Sequence, residues 1–160
     1  MSSEIRHTGA SRSSPTQGRA SSSAANNSTA RTAPSRILVV EDEFLIAMSI
    51  EGDLRDAGFE VVGIAHSADD AVAMAKTEHP DIVLMDIRLV GKRDGVDAAR
   101  EIYEATGIRS IFATAHGDPE TVGRAQSAAP LGWLHKPYGR DSLLSTIEEC
   151  SRILGRPPQG

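Results

Sequence analysis

An open α/β sheet of five parallel strands, doubly wound with five helices, is the fold class this sequence predicts, and three observations predict it. Short β-rich runs alternate with helical patterns after residue 35, the order expected when crossover helices join parallel strands. The first run, residues 37–40, is Ile-Leu-Val-Val with no polar break, as a strand buried on both faces requires. Acidic, hydroxyl and ammonium side chains stand at the ends of these runs, where an open sheet of this class holds its ligand site.

The elements follow in order. After the strand over residues 37–40 the period changes at Glu43. Ile46, Ile50, Leu54 and Ala57 then share one helical face, and Gly58 stands where a helix ends. Residues 59–65 form the second strand. Ser67-Ala-Asp-Asp70 reads as a capping box for a helix reaching Glu78, which Pro80 stops. Residues 81–85 are the third strand, 91–95 a loop and 96–106 the third helix. The fourth strand covers 109–113 and a short helix 118–128. A fifth strand at 131–134 precedes an amphipathic helix over 141–154 that carries Leu143, Ile147, Cys150 and Leu154.

Composition narrows the function. The chain has 160 residues, 17 basic and 22 acidic side chains and one cysteine. No run approaches the roughly 18 apolar residues of a membrane span, and a lone Cys150 excludes an internal disulfide framework. A formal charge of −5 argues against binding to nucleic-acid phosphates. A cytoplasmic location is the expectation. Residues 1–35 hold ten Ser, four Thr and six Ala, with only Met1 and Ile5 as larger apolar side chains. Such a segment buries too little surface to offset its ordering entropy, so a disordered tail is expected. It is Arg-rich and acid-poor like a transit peptide, but it lacks the apolar stripe of one. A linker, a tail or an upstream start codon are the readings it supports.

At the strand ends stand Glu41, Asp42 and Glu43, then Asp86, Thr114, and Lys136 followed by Pro137. Two carboxylates about 4 Å apart repel by roughly 4 kcal/mol at an effective dielectric of about 20. Glu41, Asp42 and Asp86 therefore need a cation, and Mg²⁺ suits an all-oxygen site, with Lys136 adding positive charge. Glu43 fits better as the opening of the first helix, where it favours the dipole. Taken singly, each residue has a plain alternative: Asp86 as a turn or cap residue, Thr114 as a partner for local backbone, Trp133 as core. The five histidines show no metal-ligand spacing.

The segments Val-Val-Glu41-Asp42-Glu, Leu-Met-Asp86-Ile-Arg-Leu, Phe-Ala-Thr114-Ala and Gly-Trp133-Leu-His-Lys136-Pro137, in this order, make residues 36–154 resemble the receiver domain of two-component response regulators, which has a flavodoxin-like fold. The resemblance implies that Asp86 accepts a phosphoryl group from a phosphohistidine on a sensor histidine kinase or a histidine phosphotransfer protein. It implies that Asp42 ligates Mg²⁺ directly, that Glu41 does so mainly through water, and that the backbone carbonyl of Arg88 completes the protein ligands. Thr114 and Lys136 would hold phosphoryl oxygens, and the Lys136-Pro137 bond would be cis. Trp133, where Tyr or Phe is usual, would move inward as Thr114 engages phosphate. Arg88 and His116 would tune the lifetime of the acyl phosphate.

The Phe-Ala-Thr run also resembles a subgroup of stand-alone receivers from alphaproteobacteria, although the Pro, Phe and Gly of its fuller motif are replaced here. Kinases of general stress or light sensing are the partners that subgroup suggests. Only six residues follow Leu154, so the receiver is expected to act by itself. It would do so through the face formed by its fourth helix, fifth strand and fifth helix, or by passing phosphate onward, with a homodimer as one arrangement. No enzymatic turnover is expected beyond its own phosphorylation and dephosphorylation. A receiver that binds partners without phosphorylation is the alternative. A haloacid-dehalogenase-type phosphatase needs a second aspartate two residues after the nucleophile, where this chain has Arg88. A nucleotide or flavin site needs glycines after the first strand, where this chain has three acids.

Overall fold

The computed structural model describes residues 35–155. Within them β1 (Arg36–Val40), α1 (Phe44–Asp56), β2 (Glu60–Ala65), α2 (Ala68–Glu78), β3 (Ile82–Asp86), α3 (Gly95–Thr106), β4 (Arg109–Thr114), α4 (Pro119–Ala125), β5 (Gly132–His135) and α5 (Arg140–Ile153) alternate, with a single 3-10 turn at Gln126–Ala128 after α4. The tails expected over 1–35 and 155–160 lie outside the described residues, except for Ser35 and Gly155. Ser35 is fully buried and its hydroxyl donates to Ser151 Oγ at 3.1 Å.

Alternation along β1 divides the core in two. Leu38 and Val40 point into a cluster with Val83, Met85 and Phe112 that α2 and α3 cover through Ala71, Ala75, Ala99 and Ile102. Ile37 and Val39 point the other way, into a cluster with Ile82, Leu84 and Ile111 that α1 and α5 cover through Ile50, Leu54, Leu143 and Ile147. The period of two sends neighbouring residues to opposite faces, so an unbroken apolar strand needs helices on both sides. All pairings are parallel, in the order β2-β1-β3-β4-β5. Chain order reverses between β1 and β3, and ligands bind at such a switch point beyond the carboxyl ends of the strands.

Local signals set most boundaries. Ser67 caps α2 by accepting from Asp70 N at 3.1 Å. The helix closes at His79, which takes a left-handed conformation just before Pro80. Asp94 caps α3 through a reciprocal capping box with Asp97. One expected face is rotated: α1 buries Ala47, Ile50 and Leu54, whereas Ile46 is 39% exposed. The spacing 47, 50, 54 is the inward stripe, and Ile46 sits about 100° around the helix from Ala47. Several elements run one residue away from their expected ends. Asp86 and Thr114 are the last residues of β3 and β4 rather than the first of the loops, and His135 ends β5.

Candidate functional site

Three parallel strands deliver the site. Glu41 and Asp42 follow β1, Asp86 ends β3, and Lys136 follows β5, so the order of the sheet brings residues 95 positions apart together. Oxygens of Glu41, Asp42 and Asp86 lie within 4.8 Å of one another. Glu41 and Asp86 are buried, at 2% and 6% exposure. Lys136 Nζ donates to Asp86 Oδ2 at 3.1 Å and stands 3.6 Å from Glu41 Oε2. Backbone N–H groups hold one oxygen of each carboxylate: Arg88 N donates to Asp86 Oδ1 at 3.1 Å, Glu43 N to Glu41 Oε1 at 3.2 Å, and Val90 N to Asp42 Oδ2 at 3.2 Å. His66 Nδ1 lies 2.9 Å from the Glu41 carbonyl oxygen.

The electrostatics are unbalanced. Burial pushes the Glu41 carboxyl up to about 7; the nearby Asp86 adds to the shift, while the Glu43 N–H and Lys136 oppose it. Burial works against the charge on Lys136, but its hydrogen bond and ion pairs with Asp86 and Glu41 prevail and raise its pKa. Tyr138, beside the same cluster, is pushed up to about 12 by burial and by the two carboxylates. Three clustered carboxylates with one ammonium group form an all-oxygen donor set of the kind that suits a hard divalent cation.

Above Asp86 is a small cavity of about 90 Å³ whose walls include Arg88, Thr114, His116, Asp118, Thr121 and Lys136. Arg88 and His116, expected to control the acyl phosphate, are both exposed on this rim. The Thr114 hydroxyl donates to the His116 carbonyl at 2.9 Å and accepts from His116 N at 3.2 Å. It serves its local turn. Trp133 is half-buried, and its ring packs on Phe112 with centroids 5.2 Å apart. The Lys136-Pro137 bond is cis. Glu43 precedes α1 as its N-cap residue, with no capping hydrogen bond from its side chain.

Sequence reasoning missed three features. A Cβ on Gly95 would sit 2.0 Å from the Asp86 carbonyl oxygen, so only glycine lets α3 start against the backbone of this aspartate. Arg124 of α4 pairs with the capping carboxylates Asp94 and Asp97. The acidic Asp94 and Asp97 at i and i+3 were the signal for the box, but nothing local marks its partner 30 residues away. The third feature is a groove of about 640 Å³ between α1 and the start of α5, lined by Leu45, Ile46, Pro137, Tyr138 and Leu143, with Lys136 on its edge.

This fold and pocket define a receiver-type α/β domain. Residues 37–148 match the family model of the response regulator receiver domain. The chain is 38% identical over 115 residues to the transcriptional regulatory protein PdtaR of Mycobacterium tuberculosis, a match covering 72% of this chain and 56% of that protein. It therefore spans little more than half the length of that relative. It is 35% identical over 115 residues to the chemotaxis protein CheY of Bacillus subtilis, covering 71% of this chain and 95% of CheY. Among solved structures, the signal receiver domain of a modulated diguanylate cyclase from Desulfovibrio desulfuricans G20 superposes with a TM-score of 0.68 at 35% identity, covering 75% of this chain and 95% of that one. The chain belongs to the response regulator receiver domain family. Receiver domains bind Mg²⁺ at an acidic pocket and interact with histidine kinases or phosphotransfer proteins.

Proposed function

We propose that this protein is a phosphoacceptor receiver in which Asp86 takes a phosphoryl group from a phosphohistidine, and that this transfer changes how the protein binds partners. The observation that carries the reading is the Asp86 carboxylate at the end of the central β3, oriented by Arg88 N–H and Lys136 and opening onto the small cavity. In the transfer, an Asp86 oxygen forms a bond to phosphorus as the donor's P–N bond breaks. The imidazole leaves neutral, keeping the proton on its other nitrogen. Positioning of the nucleophile and neutralisation of the phosphoryl oxygens are the protein's main tasks in such a step.

Asp42, Glu41, Asp86 and the Arg88 carbonyl are the groups that would hold Mg²⁺, which when bound supplies positive charge to the phosphoryl oxygens. Lys136, already beside Asp86 Oδ2, supplies a second cation for one of those oxygens. Thr114 exchanges its bond to the His116 carbonyl for a phosphoryl oxygen. The freed loop then lets Trp133, packed against Phe112, shift inward. Arg88 and His116 at the rim govern the entry of water and so the lifetime of the acyl phosphate. The chemistry is confined to the protein's own phosphorylation and dephosphorylation, with no separate substrate turned over.

The surface supports a donor approach along α1. Phe44, Leu45, Ile46 and Met48 are between 39% and 79% exposed beside the site, and Val90 on the β3–α3 loop is 78% exposed. No large apolar side chain of α4 or β5 is exposed to this degree among the described residues. A protein presenting its phosphohistidine over Asp86 would cover the α1 patch.

The test is incubation with Mg²⁺ and a small acyl phosphate, read by intact mass and by mapping the modified residue. Wild type gains one phosphoryl group on Asp86, and Asp86→Asn gains none. An unmodified wild type would overturn the reading and leave a receiver that binds partners without phosphorylation.

A further inference from the structure

The small cavity over Asp86 has two walls from different parts of the chain. One is the end of β3, Asp86 to Arg88, on which α3 starts: Gly95 N donates to the Ile87 carbonyl at 2.8 Å, and the Gly95 Cα packs against the Asp86 carbonyl. The other is the start of α4, where Asp118 and Thr121 line the cavity and Asp118 caps the helix by accepting from Thr121 N at 2.8 Å. Helix α4 has only seven residues and buries Ala125 alone. Packing therefore fixes its position weakly, and a polar tie counts for more.

Arg124 supplies that tie. Its Nη1 donates to Asp94 Oδ2 at 2.8 Å and its Nη2 to Asp94 Oδ1 at 3.0 Å, with Asp97 Oδ1 also in reach at 3.2 Å. Bidentate guanidinium–carboxylate pairs add geometric definition as well as attraction. Asp94 is also the N-cap of α3, immediately before Gly95, so the guanidinium is anchored to the same turn that rests on the Asp86 backbone. Burial disfavours the charge on Asp94, yet the hydrogen bonds from Arg124 and Asp97 N hold its carboxyl below the usual aspartate range.

We propose that the Arg124–Asp94/Asp97 contact is a clasp that holds α4 against the start of α3, sets the width of the cavity over Asp86, and thereby limits the access of water to the acyl phosphate. Arg124 is a positioning residue: it acts through α4 and touches no reacting atom. The inference rests on Asp86 being the acceptor. In the step it controls, a water oxygen bonds to phosphorus as the P–O bond to Asp86 breaks. The carboxylate returns, and both water protons leave on the phosphate. Opening the clasp widens the gap between Arg88 and Thr121 and speeds this hydrolysis.

The experiment loads the full chain with Mg²⁺ and acetyl phosphate, removes the donor, and follows loss of the phosphoryl group by intact mass well below the melting temperature. Arg124→Ala shortens the half-life by about threefold or more, the scale on which such couplings act. Asp94→Asn keeps a good capping side chain but lacks the charge, and it moves the same way. Arg124→Lys, which keeps the charge without the fork, falls between wild type and Arg124→Ala. If Arg124→Ala does not fold, the other two variants carry the comparison. Half-lives equal to wild type in the folded variants, even with lowered melting temperatures, would overturn the clasp and leave Asp86 as acceptor. A wild type that takes up no phosphoryl group would overturn both.

Discussion

Glu41, Asp42, Asp86 and Lys136 set three carboxylates against one ammonium group at the carboxyl edge of the sheet. On the outer surface of α2, α3 and the loop between β3 and α3, Asp69, Glu101, Lys76 and Arg93 set two carboxylates against two cations. Glu41 and Asp86 are buried, whereas the side chains of the second group are 37% to 81% exposed. Solvent screens the surface group, in which Arg93 bridges Asp69 and Glu101 and Lys76 pairs with Glu101. The Glu101 carboxyl is accordingly held below its ordinary range, first by its hydrogen bond to Arg93. In the pocket the same residue type moves the other way, to about 7, because burial removes water and the neighbouring Asp86 carboxylate adds to the shift against Lys136 and the Glu43 N–H. Stability alone does not explain the pocket: its excess of negative charge is the electrostatic pattern of a functional site.

Disturbing the backbone under the pocket should cost the most stability. Gly95→Ala improves helix propensity by about 1 kcal/mol, but its methyl group would stand 2.0 Å from the Asp86 carbonyl oxygen. The clash decides the sign, and urea denaturation should show a loss of about 3 kcal/mol. Wild-type stability in this variant would mean that α3 does not press on Asp86 as described.

A smaller effect comes from the charge itself. The Glu41 carboxyl is raised from 4.5 to about 7 in the folded protein. Its contribution to stability is therefore full below pH 4.5 and is lost as pH rises through about 7. In EDTA, wild type loses stability from this group between pH 5 and pH 8. Glu41→Gln removes that slope and is more stable at pH 8 by on the order of 1–2 kcal/mol. An unchanged slope of urea midpoint against pH would place the frustration elsewhere.

The smallest effect belongs to the surface cluster. Arg93→Ala should leave the melting temperature close to the wild-type value, because exposed ion pairs contribute little. A large drop would show that the surface network organises α2 and α3 more than its exposure suggests.

Much of this contrast was legible in the residues. The unbroken Ile37–Val40 run, the Ser67 cap and Pro80 gave their elements from local chemistry, and the strand-end rule put Glu41, Asp42, Asp86, Thr114 and Lys136 on one edge. Local chemistry also had limits. Ile46 and Ala47 are both apolar, and only packing against β1 and α5 decides which turns inward. The role of Gly95 depends on how closely a helix approaches a carbonyl, and Arg124 meets Asp94 across a loop, a strand and two helices. Neither contact leaves a trace in spacing. The Thr114 hydroxyl, expected at the phosphoryl group, is engaged by the His116 backbone two residues on, a local turn contact that residue spacing does not announce.

If Glu41, Asp42 and Asp86 hold Mg²⁺ as proposed, thermal melting against Mg²⁺ concentration at pH 8 reads it out. Wild type should gain stability with each increment of Mg²⁺ above its dissociation constant, as a ligand bound only by the folded state requires, and Asp42→Asn should stay nearly flat. A wild-type melting temperature indifferent to Mg²⁺, or an Asp42→Asn curve that climbs as steeply, would contradict it.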